Sequence, residues 1–131
     1  MRVGVPREIK PDEYRVGLTP TAVREYVSRG HEVVVEMGAG VGAGYPDQAY
    51  VRAGATIAPD ADAVFQAGEL IVKVKEPQAV EWARLTRKHI LFTYLHLAPD
   101  PSQSEGRLAA GCAAIAYETV TDDAGVLPLL S

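Results

Sequence analysis

The sequence predicts an α/β fold, a doubly wound and mostly parallel sheet flanked by helices. Three observations carry that expectation. Short runs of β-branched and aliphatic residues recur along the chain, and the segments between them return their apolar residues every third or fourth position. Strand alternating with helix implies βαβ units, hence parallel neighbours with helices on the faces. The length of 131 residues, 47% hydrophobic and 23% charged, is that of one ordinary globular domain.

The elements follow in chain order. Arg2 to Val5 is the first strand, and the connection "REIKPDEYRVGLTP" leaves it. Thr19 is a helix N-cap with Pro20 at the first helical position; Val23, Tyr26 and Val27 then form an apolar stripe that Gly30 closes. Glu32 to Glu36 is the second strand. After a glycine-rich stretch, Pro46 and Asp47 mark a helix start, and a weaker strand falls near Ala55 to Ala58. A helix over Asp60 to Ala67 leads to the strand Leu70 to Val74. A helix over Gln78 to Lys88 leads to the strand Ile90 to Leu95, and one over Pro101 to Gly111 leads to the strand Ala113 to Tyr117. The chain stops on the apolar run "GVLPLLS", expected at a domain junction or under another chain.

A net charge of -4 and a pI of 5.3 disfavour a nucleic-acid groove or an anionic membrane surface, both of which call for a basic face. Small molecules are the expected partners. No signal-peptide core and no run of about 18 apolar residues is present, which predicts a cytoplasmic protein. The single cysteine, Cys112, has small apolar neighbours and is expected to be an inert buried thiol. No metal site is expected, because one cysteine and three scattered histidines lack ligand spacing. A G-x-S-x-G nucleophile elbow is also missing.

The stretch "EVVVEMGAGVGAGYPD" looks like a dinucleotide site. Gly38, Gly40 and Ala43 match G-x-G-x-x-G/A, and Asp60 and Asp62 follow at about the ~20-residue distance of a ribose-binding acid. In a genuine fingerprint, however, the helix begins within the glycine motif so that its first amides reach the pyrophosphate. Here Gly42 and Gly44 favour a loop, the helix start waits for Pro46, and the motif follows the second strand. A tightly turned surface loop is the expectation.

Stronger candidates lie at the carboxyl edge of the predicted sheet, where α/β folds bind ligands. Lys75 ends one strand, His96 lies just past the next, and Arg15 lies in the connection that leaves the first. Arginine offers a permanently charged fork for a carboxylate, lysine can polarise a carbonyl, and histidine titrates near neutrality as a general acid and base. Together they suit a 2-oxo or 2-amino acid. The plainer alternatives are a solvated Arg15, a strand-end charge for Lys75 and a packed His96. His31 and His89 read as capping or dipole partners of helix ends, Tyr94 as core, and Glu8, Asp12 and Glu13 as solvated loop charges.

At these residues the chain resembles the alanine dehydrogenases. The likeness runs through "VGVPREIKPDEYRVGLTP", "GHEVVVEMGAGVGAGYPDQAYVRAGA", "IVKVKEP", "LFTYLHLA", "AIAYETV" and "GVLPLL", in order over essentially all 131 residues. The resemblance implies that residues 1–131 form a truncated, Rossmann-like or flavodoxin-like N-terminal substrate domain, with the NAD-binding domain absent from this chain. It implies reversible NAD-dependent deamination of L-alanine to pyruvate and ammonia by a cytoplasmic hexamer, with this piece inactive alone. Arg15 would hold the substrate carboxylate and Lys75 the carbonyl oxygen. His96 would serve as acid and base. Two alternatives share parts of the pattern: a transhydrogenase-like N-terminal domain binding a nicotinamide nucleotide, and a non-catalytic module for amino or keto acids. The pair Lys75 and His96 favours the dehydrogenase over the first.

Overall fold

A computed structural model describes residues 1–93 and, as backbone, residues 113–116. Six strands form one sheet: β1 (Arg2–Val5), β2 (Glu32–Glu36), β3 (Thr56–Ala58), β4 (Leu70–Lys73), β5 (Ile90–Thr93) and β6 (Ala113–Ala116). All neighbouring pairs are parallel, in the order β3-β2-β1-β4-β5-β6. Val3 stands opposite Val33 on one side and Leu70 on the other. The expected doubly wound parallel sheet is therefore the observed one. The predicted helix over Pro101 to Gly111, together with Tyr94, His96 and Cys112, lies outside the described residues.

Burial on both faces explains why the central strands read as apolar runs. Val3, Val5, Val35 and Val72 are buried against α1 (Pro20–Ser28) and α2 (Asp47–Ala53), in a cluster that holds Val23, Tyr26 and Tyr50. The opposite face packs Ile71 and Leu91 on Phe65 of α3 (Ala61–Ala67), with Trp82 of α4 (Ala79–Trp82) and Leu85. Each such side chain contributes on the order of 1.5–3 kcal/mol on leaving water. No described helix is long and apolar enough to cross a membrane.

The predicted caps do their work. Thr19 accepts from the Ala22 amide at 3.2 Å with Pro20 beside it, and Asp60 accepts from the Ala63 amide at 2.9 Å. The helix over Gln78 to Lys88 is the element that sequence periodicity overextends. A capping box between Gln78 and Glu81 starts it, but α4 ends at Trp82. Arg84 and Leu85 already donate to the carbonyls three residues back, and the Thr86 amide then donates to the His89 ring at 2.9 Å instead of to a helical carbonyl.

The connection from β1 to α1 crosses the carboxyl edge of β4, and three features hold it there. Val16 and Leu18 are buried. The Tyr50 hydroxyl donates to the Leu18 carbonyl at 2.8 Å. Gly17 lies against the β4 backbone so closely that a Cβ there would fall 2.4 Å from the Val72 carbonyl oxygen. Tyr50 in turn needs Gly40, where a Cβ would stand 2.5 Å from its ring.

Candidate functional site

In this strand order the chain runs outward from β1 through β2 to β3, then returns to β4 and runs the other way. The carboxyl ends of β1 and β4 are consequently the topological switch point, where open α/β sheets place ligands. Residues 6–19 and the segment just after Lys73 border it. Arg15 lies on the first and Lys75 on the second, at the edge where sequence topology expected them.

A carboxylate joins them. Glu13 accepts from Arg15 Nε at 3.0 Å and Arg15 Nη2 at 2.9 Å, and from the Arg15 amide at 2.8 Å. Glu13 Oε1, which takes Arg15 Nη2, also stands 3.9 Å from Lys75 Nζ. The Glu13 side chain is only 4% exposed, so it is not the solvated loop charge expected from sequence. The Arg15 hydrogen bond, with help from the Lys75 charge, holds its carboxyl below the ordinary carboxylate range, and Glu13 raises the Arg15 pKa in return. Arg15 keeps 63% of its side chain exposed. A guanidinium has five N–H donors, and Glu13 engages two of them, leaving donors for a second carboxylate.

Glu8 departs further from the solvated reading. Its side chain is 2% exposed and pairs with Lys73 Nζ at 3.1 Å, while its oxygens accept from the amides of Val74 at 3.0 Å and Lys75 at 3.2 Å. Burial pushes its pKa up, against the pull of Lys73 and the two amides. Lys73 also meets Glu81 at 3.0 Å. Asp12 is the member of the predicted trio that is exposed, and it adopts φ 65. Lys10 bonds Glu76, tying the two border segments once more. Sequence reasoning overlooked this network, although one signal was present: a lysine inside an apolar strand is almost never buried unless paired.

An open cleft of about 390 Å³ adjoins these groups, lined by Arg15, Val16, Gly17, Thr19, Ala43, Tyr45 and Val74 among others. One wall is cationic and the remainder is small or apolar, which suits a short carboxylate-bearing molecule.

The glycine stretch departs from the geometry of a dinucleotide fingerprint. A 3₁₀ turn over Val41–Ala43 separates it from α2, and the Gly38 amide donates to the Asp47 carboxylate at 2.8 Å. That carboxylate, in the first turn of α2, occupies the Gly38 amide and adds negative charge beside the helix start, where an anion would be repelled. Gly38 and Gly44 take φ 79 and φ 93 as turn residues. Among the described residues no group of acidic, histidine or cysteine side chains could hold a metal.

His31 and His89 make local contacts at helix ends. The His31 amide closes the end of α1 on the Tyr26 carbonyl, and its ring packs edge-on against Tyr26. His89 accepts from the Thr86 amide at Nδ1, so its Nε2–H donates to the Phe65 carbonyl at 2.5 Å and anchors the end of α3.

The sequence pattern of the family described as alanine dehydrogenase/PNT, N-terminal domain, matches residues 4–131. The chain is 52% identical to an alanine dehydrogenase of Halomonas elongata and 47% identical to one of Bacillus subtilis, each over all 131 residues. It spans 35% and 34% of the length of those two proteins. A solved L-alanine dehydrogenase superposes with a TM-score of 0.86 at 49% identity, over 92% of this chain and 33% of that one. A solved transhydrogenase from Sinorhizobium meliloti superposes with a TM-score of 0.83 at 29% identity, over 92% of this chain and 36% of that one.

Proposed function

The chain belongs to the alanine dehydrogenase/PNT N-terminal domain family, and from that premise we propose that it forms the substrate-binding part of an alanine dehydrogenase. The reaction is the reversible NAD-dependent deamination of L-alanine to pyruvate and ammonia. The observation that carries the reading is the meeting of Arg15 and Lys75, from two separate connections, around Glu13 at the switch point. The names of relatives at 47–52% identity support it.

Arg15 receives the substrate carboxylate on the donors that Glu13 leaves free, and the exposed guanidinium is open to it. Lys75 Nζ, held near Glu13, donates to the oxygen of the pyruvate carbonyl and stabilises negative charge that develops there. His96, outside the described residues, gives and takes the proton as water adds to and leaves the imine carbon. The glycine stretch departs from the dinucleotide fingerprint, and this reading assigns the nicotinamide cofactor to no described residue. The same reading places the protein in the cytoplasm as a homo-oligomer, hexameric at full length.

An amide-resolved NMR titration of the 131-residue chain tests this, with pyruvate and NADH added in separate series. Saturable shifts at Arg15 and Lys75 with pyruvate, and none from Gly38 to Gly44 with NADH, are expected. Silence at Arg15 and Lys75 with pyruvate, or saturable NADH shifts in the glycine stretch, would overturn it.

A further inference from the structure

Three charges lie buried beneath the site without touching the cleft. Lys73, 1% exposed, stands between Glu8 and Glu81, each 2% exposed, at 3.1 and 3.0 Å. Burying such a set is expensive, and apolar residues of similar volume often serve stability as well or better. Stability alone is therefore a poor account of the cluster, and its geometry supplies another.

The β4 ladder to β5 ends at Lys73 and Thr93, and the pairing of β4 with β1 ends two residues earlier at Ile71. Beyond it, the amides of Val74 and Lys75 need acceptors. Glu8 provides both: Oε2 accepts from Val74, while Oε1 accepts from Lys75 and from Lys73 Nζ. Lys73 holds the carboxylate in place, and Glu81 holds Lys73 while its other oxygen accepts from the Gln78 amide at 2.9 Å. The direction in which the Lys75 side chain leaves the backbone is thus set by an acid 67 residues away in sequence. That acid begins the same connection that carries Glu13 and Arg15.

We infer that Glu8 is a positioning residue: clamped by Lys73 and Glu81, it holds the Lys75 backbone in register with the Arg15 segment, so that both cations address one small carboxylate-bearing substrate. The inference rests on the substrate-binding role proposed for Arg15 and Lys75. It assigns Glu8 no contact with substrate.

Glu8→Gln tests the clamp at atomic level. A glutamine has one acceptor oxygen, so its NH₂ must face either the Val74 amide or the Lys75 amide and Lys73. Faster hydrogen exchange at the Val74 and Lys75 amides is expected, with pyruvate affinity lowered about tenfold, the worth of one charge-assisted hydrogen bond. A second variant separates positioning from stability and covers the case in which Glu8→Gln fails to fold. Glu8→Met, Lys73→Met and Glu81→Gln together remove the buried charges, and a glutamine at 81 still closes the capping box. The desolvation cost removed with the three charges offsets the two amides left without acceptors, so this variant should stay folded at room temperature yet bind pyruvate as weakly as Glu8→Gln. A folded triple variant with wild-type pyruvate affinity would overturn the inference, as would unchanged Lys75 exchange in Glu8→Gln. Wild-type chain that ignores pyruvate would refute the proposed substrate role instead, and the exchange measurement would still decide whether Glu8 holds Lys75.

Discussion

Gly17→Ala probes how tightly the Arg15 connection is seated on the sheet. The added Cβ would stand 2.4 Å from the Val72 carbonyl oxygen and 2.9 Å from its carbon, both backbone atoms of a central strand. An ordinary contact needs about 1 Å more, and neither a rotamer change nor a flexible side chain can provide it. Either β4 or the connection must move. Overpacking of this kind costs about 1–3 kcal/mol, which in a domain of this size lowers the thermal midpoint by roughly 3–4 °C per kcal/mol. Because the connection is the softer partner, its displacement should also separate Arg15 from Lys75 and weaken pyruvate binding. Gly30→Ala is the control: nothing lies within 4 Å of its added Cβ, and only the left-handed backbone at φ +90 is strained, for about 1–2 kcal/mol. Urea unfolding with an unchanged m-value and pyruvate titrations would be run on both variants. Gly17→Ala with an unfolding midpoint within error of wild type, or Gly30→Ala losing as much pyruvate affinity as Gly17→Ala, would refute the reasoning.

Other expectations follow from the same contacts. Tyr50→Phe leaves the Leu18 carbonyl without its 2.8 Å partner and should cost about 1–3 kcal/mol in urea unfolding. Glu13 has a depressed folded-state pKa, so its stabilisation is present above the unfolded value and is lost as pH falls through the folded one. Glu13→Gln should accordingly flatten the acid limb of stability against pH below about 4, and an unchanged limb would contradict the pairing. Glu8 has a raised folded-state pKa and the opposite sign, its contribution being full at low pH and lost as pH rises through the raised value. Glu8→Gln should remove that decline, read from midpoints followed upward from the ordinary carboxylate range. Arg15→Lys keeps a cation but loses the fork to Glu13, and should weaken pyruvate binding about tenfold in the NMR titration.

The parts legible in sequence were those governed by local rules. Thr19 with Pro20, Asp60 before α3 and the valine runs of β1 and β2 each carry a short-range signal, and each element formed where the signal lies. Helix α4 was misjudged in length because its end, where Arg84 and Leu85 turn to the carbonyls three residues back, is a matter of hydrogen-bond geometry that periodicity does not record. Topology sufficed to bring Arg15 and Lys75 to one edge. Glu8 and Glu13 were misread because "REIKPDEYR" is as polar as any solvated loop, and what buries its acids lies more than 60 residues away for Glu8 and in the local fold of the connection for Glu13.

The contact between Gly40 and the Tyr50 ring bears on how variants of this protein should be interpreted. Gly40 sits inside a motif that looks like a nucleotide grip, so a substitution there invites a diagnosis of lost cofactor affinity. Its bare Cα admits an aromatic ring, however, and the hydroxyl of that ring steadies the connection bearing Arg15. Damage at Gly40 should therefore surface as a defect in carboxylate recognition, transmitted through one tyrosine, at a distance from the glycines that a motif search would blame.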